Sequence, residues 1–214
     1  MTAHTSYALL HPTARAMRWG PLAAGAALGL AIVAVPAILS LRPTVEHVAT
    51  LLRLAAACGA LGAAFLLDDP ATRTTPTVPT SRLVRHLVRA GIALPALGAW
   101  WLAVLAVAET AGRAEVMADL PRAGLTLEAA TLILVALALA ATALRFTADG
   151  AVGVRTAPAM LLVLAVAWFL PHRVALILSP TDPQWTSAHL RWTALLLAAA
   201  VGFIWASRDP PRRS

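Results

Sequence analysis

The chain has 214 residues, of which 59% are hydrophobic and 13% are charged, whereas an average soluble domain carries about 25% charged residues. This composition excludes an ordinary soluble domain and predicts an all-α integral membrane protein, because a run of about 20 apolar residues spans a bilayer as a helix. The formal net charge of +7 comes from arginine, since the chain has no lysine. Cytoplasmic loops of membrane proteins carry an excess of positive charge, so the net charge of this chain does not predict nucleic-acid binding.

Six apolar windows predict six transmembrane helices in one transmembrane domain, residues 1–214. The predicted spans cover about residues 21–41, 45–67, 87–108, 125–144, 157–170 and 190–206. Ahead of them, residues 1–18 mix apolar side chains with His and Arg, which fits either a short amphipathic helix on the membrane surface or a disordered basic tail. In the first span, the spacing of Gly25 and Gly29 allows a second helix to approach closely.

The second predicted span contains an arginine, Arg53, with Glu46 on its entry side. The preferred interpretation is that the long side chain of Arg53 snorkels to the membrane interface, since a charge at the bilayer centre costs about 2.5–3.5 kcal/mol on insertion scales. The alternative is that Arg53 faces the bundle interior and pairs with a carboxylate of Glu46, Glu109 or Glu128. Arg53, Glu46 and Glu128 are therefore the candidate polar residues of an intramembrane pathway.

A polar segment, residues 68–86, separates the second and third spans. It opens with Asp68 and Asp69, continues through proline and threonine, and ends among arginines. Such a backbone cannot satisfy its hydrogen bonds in hydrocarbon, so it must lie in water or against another protein. Ser81 is a candidate N-cap for a helix with an apolar stripe and a basic opposite face. Two interpretations stay open: a positively charged flank of the third span, or a docking element for a soluble partner.

The fifth apolar run, residues 157–170, reaches only about 21 Å, short of the hydrocarbon core of about 30 Å. Pro171 ends it and a second short apolar run follows, so residues 171–189 are predicted to form a broken, partly re-entrant segment on the outer side. The arginines are concentrated in the loops of the opposite side. The positive-inside rule therefore predicts a multi-pass protein of the cell inner or plasma membrane, with both termini and residues 68–86 in the cytoplasm.

The residue types that carry chemistry in enzymes form no complete site in this sequence. Cys58 is the only cysteine, so no disulfide forms within one chain, and the six histidines avoid the mid-span positions at which helices hold haem. The pair Asp68 and Asp69 has no further carboxylate at helical spacing to complete a Mg²⁺ site, and no Gly-rich phosphate loop or Ser-x-x-Lys motif occurs. We expect no catalytic residue, cofactor or metal site in this chain.

The order of these elements resembles the permease subunit of type 2 ABC exporters, a family with six spans per subunit and cytoplasmic termini. In that family the segment between the second and third spans carries an acidic residue, an Arg with a Thr, and a Pro-x-Ser-Arg stretch that leads into a basic helix. The matching residues here are Asp68 or Asp69, Arg73 with Thr74, and Pro79-Thr80-Ser81-Arg82. The chain departs from the family in having Thr74-Thr75 where Gly-Thr is usual, and in having Asp-Asp for Glu.

The resemblance implies that this segment is a coupling element that contacts a separate ABC ATP-binding subunit, which carries the ATP and Mg²⁺. The residues implied in that contact are Asp68, Asp69, Arg73, Thr74, Pro79, Ser81, Arg82 and Arg85. It also implies that the chain is not itself an enzyme, and that it pairs with a second permease subunit, identical or a sister chain, to move an amphipathic or lipid-like substrate outward. Two other functions stay open: a membrane scaffold without a transport path, and a small intramembrane enzyme that modifies lipids.

Overall fold

The computed structural model describes residues 17–68, 81–112, 114–147 and 152–208, and the regular structure in these ranges is helical. The α-helices in chain order are α1 Trp19–Ile38, α2 Val45–Ala63, α3 Arg82–Ala111, α4 Ala114–Ala118, α5 Arg122–Phe146, α6 Gly153–Phe169 and α7 Trp185–Ser207. A 3₁₀ turn, His172–Val174, lies between α6 and α7.

Five helices in the described part of the chain, α1, α2, α3, α5 and α7, are long and apolar enough to span a bilayer. The chain is therefore a multi-pass membrane protein of the all-α class, as its composition predicts. The fifth predicted span corresponds to α6, which has 17 residues and a length of about 25 Å. Because α6 is shorter than the other five, the count of six crossings stays a prediction.

The helices differ from the predicted spans in three places. α3 runs without a break from Arg82 through the third predicted span, so residues 82–86 of the predicted polar segment are the beginning of that helix. The loop before α5 contains a short helix, α4, that the sequence did not predict. α7 begins at Trp185 rather than near residue 190, and the residues between α6 and α7 are non-helical apart from the 3₁₀ turn. Residues 1–16 of the predicted amphipathic segment and residues 69–80 lie outside the described residues.

Two helix starts have the caps that their sequences suggest. The Ser81 hydroxyl accepts a hydrogen bond from the backbone N–H of Val84 at 3.4 Å, and Ser81 itself has extended backbone angles. The Thr44 hydroxyl accepts in the same way from the N–H of His47 at 3.4 Å. Each cap satisfies one of the N–H groups that have no partner within the first turn of a helix, and the predicted N-cap role of Ser81 is confirmed.

The long helices alternate in direction, so their termini collect at the two ends of the bundle. One end, called here the Asp68 end, brings together the start of α1, the end of α2 and the start of α6, because Asp68 contacts both Arg18 and Gly153. The end of α7 lies there too, since the His86 ring is 3.0 Å from the Ser207 hydroxyl. At the opposite end, called the Glu46 end, the start of α2 meets the segment that precedes α7.

α1 and α2 pack at close range through glycine. A methyl group at Gly25 would overlap the backbone carbonyl of Cys58 on α2. One turn further along, Gly29 leaves room for the indole of Trp100 from α3, whose Nε1 donates a hydrogen bond to the carbonyl of Ala26 at 2.9 Å. The close approach predicted from the spacing of Gly25 and Gly29 is therefore confirmed, and it holds three helices together.

Candidate functional site

An ion pair inside the bundle joins α2 to α5. Arg53 Nε lies 2.7 Å from Glu128 Oε2 and Arg53 Nη2 lies 3.0 Å from Glu128 Oε1, the two-bond geometry in which guanidinium and carboxylate bind most strongly. The side chains are 11% and 2% exposed, and Arg53 lies about 12 Å along α2 from its start. The preferred interpretation of a snorkelling Arg53 is therefore wrong, because the guanidinium is held inside the bundle by Glu128. The alternative, a pair with Glu128, is confirmed.

The same arginine also holds the irregular segment that precedes α7. Arg53 Nη2 donates to the carbonyl of Leu178 at 2.9 Å. From α7, Arg191 donates to the carbonyls of Ala175 and Arg173, and Trp192 Nε1 donates to Leu176 at 2.8 Å. A non-helical backbone at membrane depth is tolerated only where protein or water satisfies it. These three side chains supply the donors that let the segment lie against the bundle.

His189 of α7 completes the buried cluster and was not among the predicted site residues. Its Nδ1 is 2.9 Å from the carbonyl of Trp185, an acceptor, so Nδ1 carries a hydrogen and Nε2 is the nitrogen that faces Glu128. The Nε2 to Oε1 distance is 3.3 Å, without the geometry of a hydrogen bond. Trp185 stacks on the His189 ring at 4.1 Å and lies 5.7 Å from the Arg53 guanidinium. A methyl group at Gly124 would overlap His189, so this glycine makes room for the ring.

Glu46, the third predicted pathway residue, does not join the Arg53–Glu128 pair. It is exposed, and its Oε1 accepts a hydrogen bond from the Ser179 hydroxyl at 2.8 Å. Glu46 and Arg53 thus hold consecutive residues, Ser179 and Leu178, from the same helix. The neighbouring turn has its own polar contacts. Hydrogen bonds from the backbone N–H of Gln184 and from the ring of His172 hold the pKa of the Asp182 carboxyl below its ordinary value.

Asp68 is the buried carboxylate of the opposite end of the molecule. It is 1% exposed, and its Oδ1 accepts hydrogen bonds from the backbone N–H groups of Val152 and Gly153 at 2.9 and 2.8 Å. Arg18 approaches the other oxygen at 3.4 Å. The carboxylate therefore sits at the start of α6, where the positive end of the helix dipole favours an anion. In this structure it is directed into the protein, away from the surface on which a soluble partner would contact it.

The other predicted coupling residues divide into three groups. Arg85 is exposed on the first turns of α3. Arg82 is half-buried, and its Nη2 donates to the carbonyl of Leu144 at 3.4 Å, while Ser81 is the N-cap described above. The remaining four lie outside the described residues: Asp69, Arg73, Thr74 and Pro79.

Arginines at the Asp68 end donate to backbone carbonyls at the ends of other helices or in the turns that follow them. Besides Arg82, Arg89 donates to the carbonyls of Leu67 and Asp68 at 3.0 and 3.3 Å. Arg145 donates to those of Trp205 and Arg208 at 2.9 and 3.0 Å, and its guanidinium lies 4.4 Å from the Trp205 ring centroid. The last carbonyls of a helix lack partners within the helix and carry partial negative charge. Arg82 and Arg145 bind such carbonyls, those of Leu144 and Trp205, whereas Arg89 binds two carbonyls beyond the end of α2.

The described residues contain no group of three or more His, Cys, Asp or Glu side chains placed to hold a metal ion. Arg53 and Glu128 satisfy each other, which favours a structural role for the pair over acid–base chemistry. Comparisons with protein-family models, with curated proteins and with solved structures gave no match to this chain. Fold and site together define a multi-pass helical membrane protein with a buried ion pair near one end and a strongly basic opposite end.

Proposed function

We propose that this chain is the transmembrane permease subunit of an ABC exporter, and that it moves an amphipathic or lipid-like substrate outward with ATP hydrolysed by a separate subunit. The observation that carries the proposal is the basic Asp68 end, from which residues 69–80 emerge between α2 and α3. Among the described residues, the arginines near this end are Arg18, Arg82, Arg85, Arg89, Arg145, Arg155 and Arg208. In the part of the chain that the structure describes, fewer arginines lie toward the Glu46 end, namely Arg42, Arg53, Arg122, Arg173 and Arg191. The positive-inside rule therefore supports a cytoplasmic Asp68 end.

The length of α3 supports docking of a soluble partner at the same end. α3 has 30 residues and is about 45 Å long, whereas the hydrocarbon core is about 30 Å thick. Its first turns therefore have length to spare beyond the hydrocarbon. Arg85 is exposed there and Leu87 is 48% exposed, which gives a partner both a cation and an apolar contact.

Asp68 would transmit movement of the proposed coupling element, residues 68–86, to the helices of the bundle. It directly precedes residues 69–80, and its side chain holds the start of α6, while Arg89 of α3 holds its backbone carbonyl. In the proposed mechanism, closure of the ATPase dimer displaces the coupling segment, and α6 and α3 move with it. Such coupling requires that the ATPase bind two arrangements of the bundle with different affinity.

The decisive experiment uses the tagged full chain, purified in mild detergent with whatever ATP-binding subunit accompanies it. We expect Arg85→Glu to reduce the amount of co-purified ATPase by about tenfold, because an exposed cation at a docking surface is replaced by an anion. Arg42→Glu is the matched control, since Arg42 is an exposed arginine near the Glu46 end and the charge change is identical. It should leave the amount of ATPase unchanged.

Two results would count against this proposal. Equal recovery of the ATPase with Arg85→Glu and with the wild-type chain would remove Arg85 from the docking surface. Absence of any ATP-hydrolysing subunit from the wild-type complex would reject the exporter and leave the membrane scaffold and the lipid-modifying enzyme. Arg82→Glu is a poorer test, because Arg82 also satisfies the carbonyl of Leu144 and its loss would disturb the fold.

A further inference from the structure

A cavity of about 140 Å³ lies beside the Arg53–Glu128 pair, between α2, α5, α6 and the segment before α7. Apart from the ion pair, its walls are apolar: Leu54, Ala57, Leu132, Leu164, Trp168 and Ile177 contribute to them. An apolar cavity of about 150 Å³ in another protein stays dry and binds benzene. A cavity of this size and lining is therefore suited to a hydrocarbon group and not to water.

The cavity opens at the side of the bundle. Two of its lining residues are well exposed, Leu54 of α2 at 45% and Trp168 of α6 at 57%, so the mouth lies between these helices. Leu54 is about 13 Å along α2 from its start, within a helix apolar enough to span the membrane. A mouth at this depth meets lipid tails.

We propose that the cavity binds the end of one acyl chain of a bilayer phospholipid, which enters sideways between α2 and α6 from the leaflet at the Glu46 end. Pockets that enclose a whole drug-sized ligand measure about 300–1,000 Å³, so this cavity takes only a segment of a chain. The Arg53–Glu128 pair closes its polar side. The site is distinct from a transport path for a complete amphiphile, and it needs no ATPase partner.

The test uses the full chain alone, reconstituted in phosphatidylcholine vesicles that contain a phosphatidylcholine with a photoactivatable diazirine near the end of one acyl chain. After illumination, labelled residues are mapped by mass spectrometry. We expect label on Leu132, which is 6% exposed, and on Ile177, in addition to lipid-facing residues such as Leu102, which is 67% exposed. Label on Leu102 without label on Leu132 and Ile177 would overturn the proposal.

Two cavity-filling variants and one matched control complete the design. Ala57→Phe and, on α6, Ala167→Phe place a ring in the cavity and should each abolish label on Leu132 while label on Leu102 persists. Ala103→Phe adds the same ring at an exposed position of α3 and should change neither. Helix content is measured for both cavity-filling variants. If a variant with wild-type helix content still carries label on Leu132, the proposed site is wrong. A second probe is a water-soluble diazirine of benzene size. If this probe labels Leu132 and the diazirine phosphatidylcholine does not, the ligand is not a lipid tail.

Discussion

Arg53 is stable inside the bundle only because its charge is matched. The energetic cost of removing a guanidinium from water is offset when a carboxylate binds it in two-bond geometry and further acceptors satisfy the remaining hydrogens. Glu128 and the Leu178 carbonyl fill these roles. Removal of one partner leaves the other charge buried and unpaired, which costs far more than the net contribution of the pair.

We therefore predict that Arg53→Leu destabilises the protein by about 3–5 kcal/mol, and that the double substitution Arg53→Leu with Glu128→Leu recovers much of this loss. Thermal unfolding in detergent ranks the stabilities of the wild-type chain, the single variant and the double variant. The exposed pair of Arg122 and Glu109, with side chains 49% and 52% exposed, is the control: Glu109→Gln should cost no more than about 1 kcal/mol. Wild-type stability of Arg53→Leu would mean that Arg53 reaches water after all.

At Asp68, two substitutions separate the contribution of the negative charge to stability from that of the hydrogen bonds. Asp68→Leu leaves the N–H groups of Val152 and Gly153 buried without an acceptor, at about 1–3 kcal/mol each. Asp68→Asn keeps an acceptor oxygen for both, and the lost contact with Arg18, which is 52% exposed, contributes little. We expect a large drop in unfolding temperature for the Leu variant and a small one for the Asn variant. Equal drops would show that charge, and not the hydrogen bonds, is what matters.

At the scale of helices, the contact between α1 and α2 is limited by backbone atoms and not by flexible side chains. We predict that Gly25→Ala lowers stability by about 1–3 kcal/mol, because the added methyl meets the Cys58 carbonyl. Gly98→Ala is the control, since nothing lies within 4 Å of the corresponding position on α3, and the change should be neutral or stabilising by up to about 1 kcal/mol. Unfolding of both variants in detergent measures these changes in stability. A Gly25→Ala variant as stable as the wild-type chain would contradict the close packing of α1 and α2.

The helices were predictable where a local pattern determines them. Long apolar runs, the Ser81 cap and the glycine spacing of α1 each express a property of neighbouring residues. The partner of Arg53 was not predictable in this way, because Glu128 is 75 positions away and three carboxylates were available. The sequence predicted Asp68 to be part of a segment exposed to water. Nothing near it in the sequence indicates that its carboxylate accepts hydrogen bonds from the N–H groups of residues 152 and 153. Trp185 and His189, four residues apart on one helix face, were the available signal for the cluster.

For the whole molecule, the two ends differ in the balance of charge. At the Asp68 end the described arginines greatly outnumber carboxylates, and several of them bind backbone carbonyls of other helices or of the turns that follow them. At the Glu46 end, carboxylates accompany the arginines, as in the pair of Arg122 and Glu109. A sequence-based count of positive charges predicts the orientation in the membrane. It does not reveal which arginines are already engaged in holding the helices together.

These long-range contacts have a consequence for biosynthesis. Arg53, His86 and Arg145 belong to helices that are synthesised before α7, whereas their partners Leu178, Ser207 and Trp205 lie within about the last thirty positions of the described chain. These contacts can form only after α7 and the segment before it have been made, whereas the bond between Arg53 and Glu128 needs only α2 and α5. The last helix and the segment before it therefore complete the polar network of the bundle.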